Sequence, residues 1–475
     1  MNKRWIGLTA LAGAALSLTA LAEQPRNVVL FLLDDLGWKD LGVYGSSYYK
    51  TTAIDRLAGE GARFTHAYAA CAVCTPTRAA ILTGKYPARL LMTNWTPDGR
   101  WDPTAPMREG RFLRDLPLEE VTLAEALRES GYRTASVGKW HLGGPPFSMP
   151  EHHGFDLNAG GTAHGAPGSY FFPYQGDWRI PTTPLSSRWT VFADGEPGEY
   201  LTDRLTDEAI RFIREAKDQP FFLYFPHYAP HTPIEAKPEM AEKYRQVPKS
   251  ERQGDPMYAA MIESIDESVA RVLATLSELG LEENTVVVIT SDNGGHWKWT
   301  SAAPLRGHKG TYWEGGIRVP LIIKWPGVTE PGSVYSEPVI STDLYPTLLS
   351  AAGLPPRPNQ HLDGLDLSSV LKGGSLERQA LFWHFPHYNN HPQTFPAGVV
   401  RRGDWKLIES YDPAGLELYN LEMDLSEARN LVDEQPEMAR SLLTELQGWR
   451  DAVDADLMKP NPDHDPHGAS GHKKK

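Results

Sequence analysis

The chain has 475 residues, a formal charge of −13, 41% hydrophobic residues and two cysteines. Its length exceeds a usual single domain and leads to an expectation of one large domain with a smaller companion. The acidic balance argues against a nucleic-acid partner, and two cysteines are too few for a disulfide framework.

Residues 1–22 read as a signal peptide. Lys3 and Arg4 precede an apolar run from Trp5, and Ala20, Leu21 and Ala22 make a small-residue cleavage site before Glu23. Cleavage removes two cations and no anion, which moves the charge from −13 to −15. A periplasmic or secreted protein is expected, off the membrane after cleavage, because no other stretch is apolar and long enough to span a bilayer. An anionic substrate would need a local positive pocket against this global sign.

Residues 27–33 form a short continuous apolar run, the pattern of a buried parallel strand, and end directly in Asp34 and Asp35. Two carboxylates just past the C-terminal end of such a strand lie where open α/β sheets bind ligands. Cys71 and Cys74 make a C-x-x-C pair. A redox dithiol and half of a zinc site are its rival readings, though no second C-x-x-C follows. Pro76 suits the first turn of a helix opening just after Cys74, whose free N–H groups favour an anion. Arg78, one turn on, adds a fixed positive charge on the same face.

Thr122 and Glu125 make a capping box for a helix closed by Gly131. A strand over 133–137 then leads to Lys139 and His141, and the glycine-rich loop 160–165 carries His164 as a pocket candidate. A helix over 206–217 precedes a strand over 220–225, followed by His227 and His231. An amphipathic helix over 257–279 leads to a strand over 285–290 and then Asp292 and Asn293. Asp34, Asp35, Asp292 and Asn293 offer only oxygen ligands, a set that selects Ca²⁺ or Mg²⁺ over zinc. The block 304–320 holds Lys309 among glycines that let backbone approach a ligand closely. A strand over 319–325 and a helix over 341–352 follow.

After residue 376 the pattern changes to short strands over 398–402, 405–409 and 417–420 and a closing helix over 436–452. The segment 383–391 is dense in aromatics and histidines, and His384 and His387 are candidates for a sugar subsite. Residues 461–475 read as a disordered tail. The chain thus divides into a signal peptide (1–22), a catalytic domain (23–375), a C-terminal subdomain (376–460) and that tail.

Cys74-Thr75-Pro76-Thr77-Arg78 with Leu82-Thr83-Gly84-Lys85 closely resembles the signature of the type I sulfatases of the alkaline phosphatase superfamily. Gly138-Lys139-Trp140-His141-Leu142-Gly143 and the blocks around Asp34, His231, Asp292 and Lys309 resemble further parts of that family, in the same order. Lys85 stands where relatives often have Arg, and His308 where they often have Gly. The resemblance implies an alkaline-phosphatase-like α/β sandwich with a large, mainly parallel sheet and a small C-terminal antiparallel subdomain. It also implies that a separate maturase oxidises Cys74 to Cα-formylglycine, whose hydrate is the nucleophile.

By the same resemblance Asp34, Asp35, Asp292, Asn293 and the oxygen at position 74 hold a divalent ion, usually calcium. Lys139 and Lys309 bind sulfate, Arg78 steadies the hydrate, His231 serves the leaving group and His141 contacts the formylglycine. A sulfated carbohydrate of galactose type is the expected substrate. The alternatives are a formylglycine-dependent phosphonate monoester or phosphodiester hydrolase and a non-catalytic binder of sulfated glycans.

Overall fold

The computed structural model describes residues 26–96, 103–177 and 188–464. The signal-peptide reading of residues 1–22 and most of the expected tail, 465–475, lie outside them.

Strand β1 (Asn27–Leu33) is buried along its whole length. Its side chains alternate between two cores: Val29, Phe31 and Leu33 face one, and Val28, Leu30 and Leu32 the other. A strand covered on both faces has no polar side to show, which is why its sequence reads as an unbroken apolar run. The chain continues with β2 (Ala62–Tyr68), β3 (Met107–Arg108), β4 (Arg133–Val137), β5 (Leu157–Ala159), β6 (Phe221–Pro226) and β7 (Thr285–Ser291). It then forms β8 (Arg318–Lys324), β9 (Ser333–Tyr335) and β10 (Val339–Ile340).

Nine of these strands make one sheet in the order β10-β2-β8-β7-β1-β6-β4-β5, with β9 beside β2. The central neighbours β7, β1, β6, β4 and β5 run parallel, while β8 lies antiparallel to both β7 and β2. Helices cover both faces. The helices Leu201–Ala216 and Pro256–Glu278 pack on one, and Cys74–Thr83, Leu123–Glu129 and Leu344–Ala351 on the other. The Thr122 and Glu125 capping box is fully formed.

Strands β11 (Leu381–Phe385), β12 (Ala397–Arg402), β13 (Trp405–Tyr411) and β14 (Ala414–Asn420) make a second, antiparallel sheet, covered by the helix Pro436–Ala452. The mixed α/β architecture with a small antiparallel subdomain is therefore as the sequence led us to expect. A last strand, β15 (Lys459–Pro460), pairs with β3. Asn461, expected to open the tail, is buried and donates to the carbonyls of Pro103 and Ala105 at 2.9 and 2.8 Å.

Two helix starts differ from expectation for lack of a cap. The helix expected at 206 begins at Leu201, after Tyr200, which offers no capping side chain. Cys74 is itself the first helical residue, and its N-cap, Val73, has no oxygen to mark the boundary.

Candidate active site

Parallel strands aim their following loops at one edge, and six segments converge there. Asp34 and Asp35 follow β1, Lys139 and His141 follow β4, His231 follows β6, and Asp292 and Asn293 follow β7. Cys74 opens the helix Cys74–Thr83, and Lys309 lies on the loop before β8. This is the C-terminal edge at which open α/β sheets bind ligands. Asp35 (φ 63°) and His141 (φ 58°) both hold left-handed backbone at strand ends. Such non-glycine strain costs about 1 kcal/mol or more and persists where the surroundings fix the geometry.

The charges are paired face to face and almost wholly buried. Lys139 Nζ donates to Asp34 Oδ2 at 2.7 Å, and Lys309 Nζ to Asp35 Oδ2 at 2.8 Å. Arg78, fully buried, reaches Asp292 Oδ2 through Nε at 2.9 Å and donates to the Lys139 carbonyl at 2.9 Å. Asn293 Nδ2 donates to Asp35 Oδ1 at 2.8 Å. His231 Nε2 stands 3.6 Å from Asp35 Oδ2, and its Nδ1–H donates to the Thr232 carbonyl at 2.8 Å.

Burial raises the Asp34 carboxyl well above the usual carboxylate range, against the opposing pull of Lys139 and Arg78. For Asp35 burial acts the same way, yet Lys309, His231 and Lys139 outweigh it and hold the group far below that range. Burial and nearby cations push both His141 and His231 well below the ordinary histidine value. Burial also pushes the Cys74 thiol up, in spite of Lys139 and Lys309.

The donor set suits a hard cation. Asp34, Cys74 and Asp292 bring one ligand atom each within 4.8 Å of one another, as do Asp34, Asp35 and His231. Asp34 Oδ1 and Asn293 Oδ1 are buried without a hydrogen-bond partner. Orphaned oxygens beside three carboxylates are the arrangement that calcium or magnesium satisfies.

Above these groups opens a cavity of about 550 Å³, lined by Cys74, His141, His231 and Lys309 at its floor. That volume lies within the range that encloses small-molecule ligands. The Cys74 Sγ is 3.3 Å from His141 Nδ1. Gly165 forms the wall beside His141, and a Cβ there would come within 2.6 Å of His141 Nε2.

The sulfatase family model matches residues 26–354. The chain belongs to the sulfatase family. Its C-terminal part also matches the model described as N-sulphoglucosamine sulphohydrolase, C-terminal, over residues 308–451. A sulfatase of Formosa agariphila is 34% identical over 504 residues, covering 90% of this chain and 89% of that protein. The N-acetylgalactosamine-6-sulfatase of Canis lupus familiaris is 36% identical over 399 residues, with 80% and 72% covered. Among solved structures, the crystal structure of Ps i-CgsB in complex with k-i-k-neocarrahexaose superposes with a TM-score of 0.75 at 29% identity. That match covers 90% of this chain and 93% of the other.

This sulfatase is thus a sulfuric ester hydrolase, and the fold brings Cys74, His141, His231 and Lys309 together at the cavity floor. The walls differ from expectation. His164 does not line the cavity: its ring lies flat on Trp189, 3.9 Å away at 7°, and the next residue, Gly165, forms the wall.

His384 and His387 are likewise excluded from the cavity wall. Strand alternation turns His384 toward Tyr411 and the Asp456 carbonyl, at 2.8 and 3.1 Å. His387 is fully buried against Phe385 and Phe112 and bonded to Thr93 Oγ1 at 2.8 Å. The same segment instead delivers Asn390 and His391, and the turn after β7 delivers His296. Trp95 and Thr96 also line the cavity. His296 lies only three residues beyond Asn293, a proximity that could have nominated it. Nothing in their sequence neighbourhood marks Trp95 or Thr96.

Proposed function

We propose that this sulfatase hydrolyses sulfate monoesters on a sulfated carbohydrate of galactose type, with Cα-formylglycine formed from Cys74 and a divalent cation, calcium or magnesium, as its cofactors. A separate maturase would make the formylglycine, and the protein would be exported to the periplasm or beyond. The observation that carries the reading is the position of Cys74. Its Sγ faces the cavity 3.3 Å from an imidazole and sits among Asp34 and Asp292 ligand atoms within 4.8 Å. The raised thiol is poorly suited to act as a thiolate, which favours an oxygen nucleophile at this place.

The carbohydrate reading is supported by the relative named N-acetylgalactosamine-6-sulfatase and by the neighbouring structure holding a neocarrahexaose. Among the described residues no helix is long and apolar enough to cross a membrane.

Asp34, Asp35, Asp292 and Asn293 would hold the cation, which supplies Lewis-acid neutralisation of sulfate oxygens. The formylglycine hydrate supplies an oxygen nucleophile and a second hydroxyl through which sulfate can leave by elimination. Lys139 and Lys309 place fixed positive charge around the sulfate oxygens in a buried site, where it needs no reorganisation as charge shifts. Arg78 fixes Asp292 and the backbone of Lys139 and so aligns two strand ends. His231 delivers a proton to the departing sugar oxygen, and His141 takes one at the position now occupied by Sγ.

Peptide mass spectrometry of active enzyme is expected to find an aldehyde at Cys74, and a thiol throughout would falsify the cofactor assignment. Cys74→Ser should lose sustained turnover, since one hydroxyl cannot expel sulfate by elimination. Sulfate release from defined sulfated galactosides, set beside an aryl sulfate and an aryl phosphonate, tests the substrate class. Faster phosphonate cleavage would overturn it.

A further inference from the structure

The wall of the cavity continues outward along one turn. After β7 the chain reverses at 296–299, where the Trp299 N–H donates to the His296 carbonyl at 3.0 Å. His296 lines the cavity and meets His391, on the opposite subdomain, edge to face at 5.4 Å and 81°. On its outer side His296 stacks with Trp297 at 5.7 Å and 24°. Trp297 is 48% exposed. Among the described residues it is the one exposed large hydrophobic whose ring continues a ring of the cavity wall. The result is a strip of His391, His296 and Trp297 running from the cavity wall to solvent.

Lys298 is exposed beside this strip, with its ammonium 4.4 Å from the Trp299 ring centre, and it forms no carboxylate ion pair among the described residues. In a chain of net charge −13, an exposed cation next in sequence to this strip, without a carboxylate partner among the described residues, marks where a polyanion can approach. An indole held on one side by an imidazole still presents apolar surface for the CH face of a sugar, with the polar edge free for hydroxyls.

We infer that residues 296–298 and His391 form a second sugar subsite, in which the ring adjoining the sulfated one stacks on Trp297 and its own sulfate pairs with Lys298. This rests on the carbohydrate reading above and extends it: the preferred substrate is an oligosaccharide carrying more than one sulfate.

The test compares a sulfated galactose monosaccharide with a disaccharide sulfated on both rings. Wild-type enzyme should prefer the disaccharide by about tenfold or more in kcat/KM. Trp297→Ala should remove the stacking share of that preference through KM, with kcat and the monosaccharide rate unchanged. Lys298→Gln should remove only the advantage given by the second sulfate, together with its salt dependence. Equal losses on both substrates, or a preference undiminished by Trp297→Ala, overturn the subsite.

A binding measurement separates this from the sulfatase reading. On a Cys74→Ala background the disaccharide should bind at least tenfold more tightly with Trp297 than with alanine in its place. Sulfate release without that difference overturns the subsite alone. The difference without sulfate release upholds the subsite and overturns the substrate reading.

Discussion

His141 Nδ1 stands 3.3 Å from the Cys74 Sγ, while its Nε2 is bonded to the Thr96 carbonyl. A carbonyl only accepts, so the ring proton sits on Nε2 and Nδ1 faces position 74 as a base. Burial, then Lys139 and Arg78, push the imidazole well below its ordinary value, so it stays neutral until the medium is distinctly acidic. A base works above its pKa. The acid-side loss of activity is therefore expected below pH 6.5, measured as kcat/KM against pH. His141→Ala should lower kcat by about 10²–10⁴-fold without lowering the melting temperature, and retained turnover would remove the residue from this role.

Gly165 sets the position of that ring. An added Cβ would lie 2.5 Å from His141 Cε1, and the imidazole is pinned by the Thr96 carbonyl and a left-handed backbone. Gly165→Ala is expected to displace the ring and cut kcat at least about tenfold, on the scale of small misplacements in catalytic geometry. A circular-dichroism melt close to wild type would show that the loss is local. Unchanged kcat would mean that the ring can move freely.

His231 is tested through the leaving group. An acid must be protonated, and burial and Lys309 push its pKa well below the ordinary value, with Asp35 only partly opposing. Activity on sugar sulfates, whose departing alkoxide needs a proton, should therefore fall as pH rises toward neutrality. An aryl sulfate with an acidic phenol should be far less sensitive. His231→Ala should penalise the sugar substrate by about 10²-fold or more over the aryl one. Equal penalties on both would exclude a proton-donating role.

Much of the site was legible in the sequence because Asp34, His231 and Asp292 follow the apolar runs of β1, β6 and β7. Lys139 follows the mixed strand β4, whereas Cys74 and Lys309 lie on a helix start and a loop. Asp34, Lys139, His231 and Asp292 are each one to five residues past the end of a strand. The walls were not legible, for a physical reason. His384 sits on a strand whose two faces are both covered, and alternation sends it toward Tyr411, while His391 escapes the strand in the loop beyond. Which histidine of a dense segment reaches a cavity depends on where pairing stops, and no turn residue announces that point. The helix at Leu201–Ala216 was misplaced at its start because Tyr200 carries no capping signal.

Removal of the divalent cation should act on stability as well as rate. Asp34 Oδ1 and Asn293 Oδ1 lack hydrogen-bond partners, and burial drives Asp34 toward its protonated form. A ligand that binds only the folded state stabilises it by RT ln(1 + [L]/Kd), about 2.7 kcal/mol at a hundredfold excess over Kd. Chelation is therefore expected to lower the melting temperature and abolish turnover, and added calcium to restore both. A melting temperature indifferent to chelator would exclude a resident ion at these residues.

Lys406 ties the small subdomain to the catalytic loop. Fully buried on β13, its Nζ lies 2.9 Å from both Glu314 Oε1 and Glu427 Oε1. Glu427 in turn accepts the Glu314 N–H at 2.7 Å, at the start of the turn Glu314–Ile317 that follows the Lys309 loop. Burial raises Glu427 to about 7, whereas Lys406, Arg318 and Arg401 overcome burial and hold Glu314 at about 2. Glu427, raised in the fold, contributes stability that is present below its ordinary value of 4.5 and lost as pH rises through about 7. Glu314, depressed, contributes stability that is present above 4.5 and lost as pH falls through about 2. The cluster is thus most stable between these limits. Lys406→Met leaves two buried carboxyls without their shared cation and should cost about 3–5 kcal/mol. The cost in urea unfolding should be smaller at pH 5 than at pH 8, because a protonated Glu427 tolerates the loss. Adding Glu427→Gln should recover part of it at pH 8, and a pH-independent cost with no recovery would show that Lys406 acts by packing alone.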